Sequence, residues 1–344
     1  MQKVKESPEF IQTSLAGSLG LGMERGKFLR GAKSTCLNLL LTYKEGCAAS
    51  CAYCGLNCKR SVDASQTFIR VKWPVYSMDE ILKQMQTRPH PFKRMCMSMI
   101  THKQAVADTC KTISKFKANI DIPISALLSP TVMKGQNDLK EIKAAGADRV
   151  GVAVDMATPE LFGKYRGKGV GGPHRWEVYW QTLADALEVF GAGKAGVHLI
   201  VGMGETEEQM VKTIARAQNM GAPTHLFSFY PEAGSLLASC GQPPLGQYRR
   251  VQMARYLINE GFIAGSSISF SPEGHIIDFG IEIEPFLQNG LAFMTSGCPG
   301  ADGMVACNRP FANERVTQLI RNYPFVPEPE DIKIINSQIW AEVN

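Results

Sequence analysis

From about Cys36 onward, short apolar runs alternate with amphipathic stretches of helical period, and this alternation limits the chain to very few folds. LNLLLTY, RMCMSMI (94–100), DIPISALLS (121–129), DRVGVAVD (148–155), GVHLIVGMG (196–204) and THLFSFYP (224–231) read as strands. Between them, MDEILKQMQ (78–86), KQAVADTCKTISKF (103–116), NDLKEIKAAG (137–146), RWEVYWQTLADALEVFG (175–191), ETEEQMVKTIARAQNMG (205–221) and GQYRRVQMARYLINEG (246–261) read as helices. Strands joined through helices must run parallel with right-handed crossovers. Six such units predict an α/β fold, a partial (β/α)6 barrel of TIM type over 36–265. A full eight-unit barrel is the alternative, because SSISFSPEG follows as a further strand-like segment. Residues 1–35 read as an N-terminal extension with one or two short helices. Residues 266–344 read as an irregular C-terminal extension, helical near 311–321. Ligands on such a fold gather at the C-terminal ends of the strands.

The bulk numbers exclude several classes. A chain of 344 residues, 44% hydrophobic and 20% charged, is globular in composition and long enough to bury its own core. No apolar stretch is long enough to span a bilayer, and no signal peptide is expected. The net charge of +5 is spread out, with no dense basic tract. That argues against nucleic-acid binding and leaves a mild preference for an acidic partner. Ten cysteines without a secretory signal point to a reducing, cytoplasmic setting and to metal ligation rather than disulfides.

Three of those cysteines lie together. Cys47, Cys51 and Cys54 stand at i, i+4 and i+7 in EGCAASCAYCGL, directly after the first strand. Three thiolates so spaced can hold three corners of a [4Fe–4S] cube and leave the fourth iron open. Cys51-x-x-Cys54 alone would also fit half a zinc ribbon, but no second close pair follows in range. The spacing, with Tyr53 before the last cysteine, resembles the radical S-adenosylmethionine (SAM) superfamily. The resemblance implies that the open iron chelates SAM and that one-electron cleavage yields a 5′-deoxyadenosyl radical, which abstracts hydrogen from unactivated C–H bonds. It also implies a partial (β/α)6 barrel as the core.

It further implies positions for SAM at the barrel mouth. Ser98 and Thr101 end the second strand, where related enzymes bind the SAM amine, although the usual Gly-Gly-Glu string is absent. VGVAVDMATPELF resembles the biotin synthase segment that carries a ribose- or substrate-contacting aspartate, here Asp155. An aspartate there can instead cap the next helix together with Thr158. Arg166 is either a clamp for the SAM carboxylate or a surface residue. HLIVGMGETEEQ resembles a biotin and lipoyl synthase segment in which Gly202 and Gly204 approach the adenine. Glu205 then serves the ribose or merely the strand-to-helix turn. The backbone at Phe229 is expected against the adenine edge.

Of the remaining cysteines, Cys96 and Cys110 sit inside a strand and a helix pattern and read as apolar core, and Cys240 has no clear role. Cys36, Cys58, Cys298 and Cys307 flank the barrel and are candidate ligands of a second [4Fe–4S] cluster; loose free thiols are the bland alternative. The fourth ligand is left open between Cys58, Ser296 and substrate. SGCPG…CNRPFANER, with the biotin-synthase-like core, resembles the split, two-protein lipoyl synthases found mainly in archaea. That family implies sulfur insertion at C6 or C8 of an octanoyl-lysyl carrier, with the second cluster as sulfur donor. It implies three kinds of partner: an octanoylated lipoyl carrier domain or H-protein, a paralogous radical SAM protein, and a reduced ferredoxin- or flavodoxin-type donor. The alternatives are a biotin-synthase-like or other radical SAM enzyme acting on a free small molecule, and a non-catalytic metal protein.

Overall fold

A computed structural model describes residues 5–59, 71–313 and 319–341. Six parallel strands form its body: β2 (Cys36–Leu40), β4 (Arg94–Ser98), β5 (Ile124–Leu128), β6 (Arg149–Asp155), β7 (Ala195–Val201) and β8 (Thr224–Ser228). Two strands outside the six-unit reading extend the sheet: β1 (Phe10–Thr13) runs antiparallel to β2, and β3 (Val75–Ser77) antiparallel to β1. The sheet order β3-β1-β2-β4-β5-β6-β7-β8 is open, so the barrel is partial. SSISFSPEG does not add a barrel strand; β9 (Ser269–Phe270) pairs only with β10 (Ile276–Asp278).

Strand parity explains both faces of the sheet. Leu37, Leu39, Met95, Met97, Val150, Val152, Val197 and Leu199 point one way and join a single apolar core. That core continues into helices α3 (Ala105–Lys117), α4 (Gln136–Ala145), α6 (Trp176–Phe190) and α7 (Glu207–Asn219) through Ile113, Phe116, Leu139, Leu183 and Met210. The alternate positions face inward, and the register sets them side by side: Asn38 beside Cys96, Cys96 beside Ser125, Ser125 beside Arg149, and His198 beside His225. A parallel sheet buried on both faces usually reads apolar throughout. Here one face carries the chemistry.

Helix ends follow their sequence signals. α7 opens with a capping box between Thr206 and Gln209, and α4 stops at Gly146 in the left-handed region. A helix not foreseen, α5 (Pro159–Tyr165), is capped by the Thr158 hydroxyl at 3.3 Å from the Leu161 N–H. α8 (Leu245–Asn259) is clasped to α7 by Arg250 and Glu207, a fully buried pair at 2.6 Å. Among the described residues of the N-terminal extension, FIQT is a strand and only α1 (Leu15–Gly20) is α-helical. The helix expected near 311–321 begins as a short 3-10 turn at Pro310–Asn313, and its centre lies outside the described residues.

Candidate active site

The cysteine loop leaves the sheet at the C-terminal end of β2 and is pinned to its neighbours by its own backbone. Ala48 N–H donates to the Thr101 carbonyl and Ala52 N–H to the Tyr165 carbonyl, each at 2.8 Å. The Ser50 hydroxyl reaches the Val170 carbonyl at 2.9 Å, and the Asn57 amide reaches the Cys51 carbonyl at 3.0 Å. These bonds gather Cys47, Cys51 and Cys54 closely enough that their charges repel. Burial pushes the Cys51 thiol up against the pull of Arg166, and burial also raises Cys54. The Leu56 N–H donates to the Cys54 sulfur at 3.4 Å. Among the described residues no three His, Cys, Asp or Glu side chains could hold a single metal ion. Three thiols on one short loop at a strand end, beside a cavity, are a donor set that suits three irons of a [4Fe–4S] cube.

Beside these thiols lies a cavity of about 200 Å3, lined among others by Tyr53, Cys54, Asp155, Ile200, Phe229 and Glu232. Asp155 sits at an irregularity in β6 with φ 64°, a left-handed value that aspartate tolerates better than most residues. Its Oδ2 accepts the Tyr53 hydroxyl at 2.5 Å and pairs with Arg166 at 3.1 Å. Burial raises the Asp155 carboxyl, with Arg166 and Tyr53 opposing. Asp155 therefore frames the cavity and does not cap α5.

Arg166 is buried, not on the surface. Its guanidinium donates to the carbonyls of Ala153 and Val154 and to the Tyr179 hydroxyl, and it interacts with Cys51. Its two terminal nitrogens are spent inside the protein while Nε is buried without a hydrogen-bond partner, and through those terminal nitrogens it positions Asp155.

Other predicted ligands serve the loop framework. The Ser98 carbonyl accepts Leu41 N–H at 3.1 Å, while the Thr101 hydroxyl meets Ser129 at 3.1 Å. Neither residue lines the 200 Å3 cavity. Glu205 accepts the N–H groups of Gly202 and Met203 at 2.6 and 2.8 Å and so closes its own turn. Burial raises its carboxyl to about 6, with those donors opposing. Gly202 and Gly204 have φ of 100° and 103°, and a Cβ on Gly202 would come within 2.7 Å of Pro243. These two glycines and Glu205 shape the rim from behind.

A second group of thiols lies at the opposite end of the strands. Cys36 begins β2, and Cys298 and Cys307 lie on facing limbs of a loop, where the Cys298 carbonyl accepts Cys307 N–H at 3.0 Å. The loop is so close-packed that a Cβ on Gly297 would collide with the Cys307 carbonyl. Cys96, expected as apolar core, faces inward from β4 and joins this group: Cys307 interacts with both Cys36 and Cys96. Cys58 does not join it. Cys58 is exposed, and its N–H bonds to Ala49 at the upper rim, while Cys36 is at the other end of a five-residue strand, roughly 13 Å away. Burial raises Cys36 well above its ordinary value and Cys298 to about 11. Contacts from Cys36 and Cys96 lower Cys307. Burial also holds His198 and His225 neutral, His225 at about 4. Leu127, His198, Phe227 and Arg309 line both the upper cavity and a smaller one against Cys96, Cys298 and Cys307. Strand alternation was the signal that would have found Cys96, His198 and Phe227.

The model for the radical SAM superfamily matches residues 41–217, slightly more than half of the chain. No curated protein matches. Among solved structures, the chain resembles methylornithine synthase (PylB) with a TM-score of 0.51 and 14% identity, covering 71% of this chain and 65% of that one. It resembles the FeFe-hydrogenase maturase HydG from Carboxydothermus hydrogenoformans with a TM-score of 0.50 and 12% identity, covering 66% of this chain and 52% of that one. The chain thus spans under two thirds of the first and about half of the second, and the likeness is one of fold. With three thiols at a strand end above a cavity, and a family match across that loop, the chain belongs to the radical SAM superfamily.

Proposed function

We propose that this chain is one member of a split lipoyl synthase that inserts sulfur at C6 or C8 of an octanoyl chain amide-linked to a carrier lysine. The observation that supports the reading is the shared inner wall of Leu127, His198, Phe227 and Arg309, whose apolar members Leu127 and Phe227 run from the cavity beside Cys54 to the lower thiols. An alkyl chain is suited to such a wall, because burying it removes apolar surface from water.

Cys47, Cys51 and Cys54 would hold one [4Fe–4S] cluster, and Cys36, Cys298 and Cys307 would contribute to a second. Bound there, the first cluster with SAM supplies the electron and the 5′-deoxyadenosyl radical for hydrogen abstraction, and the second supplies sulfur. The chain's own part is placement. Tyr53 and Arg166 fix Asp155 through Oδ2, leaving Oδ1 for a ribose hydroxyl. Ile200, Phe227 and Phe229 give the cavity an apolar side. The net charge of +5 suits an acidic carrier domain or H-protein. A paralogous radical SAM protein completes the pair, and a reduced ferredoxin- or flavodoxin-type protein delivers electrons.

The test is an anaerobic assay of 5′-deoxyadenosine formation with an octanoyl-lysyl peptide, with mass analysis of the peptide. Cleavage stimulated by the peptide, and a peptide that gains sulfur, are expected. SAM cleavage indifferent to the peptide would reject the lipoyl reading and favour a free small-molecule substrate.

A further inference from the structure

We infer that Cys36, Cys96, Cys298 and Cys307 form a complete four-thiolate iron–sulfur site inside the lower barrel, leaving no iron open. The inference rests on the two-cluster reading above and specifies its ligands. Asn38 pairs with Cys96 in register, so Cys36 and Cys96 face the same interior from adjacent strands, one pleat apart. The loop bearing the other two thiols is tied to the start of β2: Thr35 donates its hydroxyl to the Ala306 carbonyl at 2.6 Å and its N–H to Asn308 at 3.0 Å. From the other side, the Arg94 guanidinium donates to the Pro299 carbonyl at 2.5 Å. Cys307 interacts with Cys36 and Cys96, and Cys298 interacts with Cys307. The four sulfurs thus form one connected group.

The surroundings suit cluster sulfur. The Asn38 side-chain N–H points at Cys36 and Cys307 at 3.5 and 3.8 Å. Hydrogen bonds to sulfur and nearby charge tune such centres. Arg309 acts on Cys36, Cys96 and Cys307, and Arg94 and Arg149 act on Cys298. Asp148, whose charge acts on Cys298, is held by Arg94 at 2.6 Å.

Of the rival fourth ligands, Cys58 is on the upper rim, and Ser296, which lines the same inner cavity, spends its hydroxyl on the Leu226 N–H at 3.2 Å. The inner cavity of about 20 Å3 has room for roughly one water, so loading must push the Cys298–Cys307 loop outward. Cys298 also borders an outer cleft of about 470 Å3, which offers that room and a way in for iron and sulfide. Four protein thiolates close every iron. Such a centre can give up sulfide or relay electrons, but it cannot hold substrate at a free coordination site.

The test uses the full chain with Cys47, Cys51 and Cys54 replaced by Ala, reconstituted anaerobically, with iron counting, Mössbauer and EPR spectroscopy. About four irons per chain are expected in this parent. Adding C58A should change nothing. Adding C96A should either lower the iron count or leave a cluster whose EPR signal shifts with added 2-mercaptoethanol, a shift the parent does not show. Full iron and an unshifted signal with C96A would overturn the ligand set while leaving a second cluster in place. A parent that binds no iron would overturn the two-cluster reading itself. Melting of the apoproteins, with C96V as the apolar replacement, separates lost ligation from lost folding.

Discussion

The two ends of the barrel hold their thiols in opposite ways. At the upper rim, eight consecutive residues carry all three cysteines, and a few hydrogen bonds to the carbonyls of Thr101, Tyr165 and Val170 set the loop. At the lower end, the thiols come from β2, β4 and a loop more than two hundred residues later, and every one is placed by sheet register or by Thr35, Arg94 and Asn308. The upper set is a local device attached to a finished fold. The lower set is part of the fold. Changes above should therefore cost chemistry, and changes below should cost structure as well.

The largest effect expected is from Cys51→Ala, which should abolish SAM cleavage while costing only about 1 kcal/mol of apoprotein stability. Activity and denaturant unfolding measured on one preparation check this. A loss of several kcal/mol would show that the rim loop is as structural as the lower end. Next comes Arg94→Met. Arg94 is 1% exposed and makes two bonds to Asp148, at 2.6 and 2.7 Å, besides holding the Pro299 carbonyl. Asp148 is 46% exposed, so water softens its loss. A cost of about 2–3 kcal/mol is expected by urea unfolding of the apoprotein, with proteolysis first in the Cys298–Cys307 loop. An unchanged midpoint would mean that the lower loop is held without Arg94.

The same contrast decides what could be read beforehand. The six parallel strands and their helices were legible because each apolar run and amphipathic period is local. The rim cysteines were legible because their spacing is the site. Cys96 was not: in RMCMSMI a cysteine among methionines looks apolar, and only the pairing of Asn38 with Cys96 turns parity into a shared interior. Cys58 misled for the converse reason, since closeness to the rim cysteines in sequence says nothing about Cys36 at the other end of β2. FIQT was hidden because four residues with one alternation look like a helix fragment until β2 offers them an edge. Arg166 was ambiguous because its partners Asp155 and Tyr179 are on other elements.

The smallest effect concerns the turn behind the rim. Glu205 is buried, and its carboxyl is raised to about 6 by burial, against the Gly202 and Met203 N–H donors. The unfolded chain releases that proton near pH 4.3. The folded protein thus binds the proton more tightly, and the group's contribution to stability is fully present below the unfolded value and lost as pH rises through about 6. Relative to Glu205→Gln, the wild type should gain up to about 2 kcal/mol as pH falls from 7 to 4.5, read from paired denaturation curves. The lower end adds a slope of opposite sign: burial holds His198 and His225 below their ordinary value, so the unfolded chain takes up those protons first as pH falls through about 6.5. That loss is shared by wild type and Glu205→Gln and cancels in the paired curves. If the difference instead shrinks as pH falls, the two N–H donors outweigh burial. The rim then carries a fixed negative charge behind the cavity, and the upper site is electrostatically set by its fold just as the lower one is.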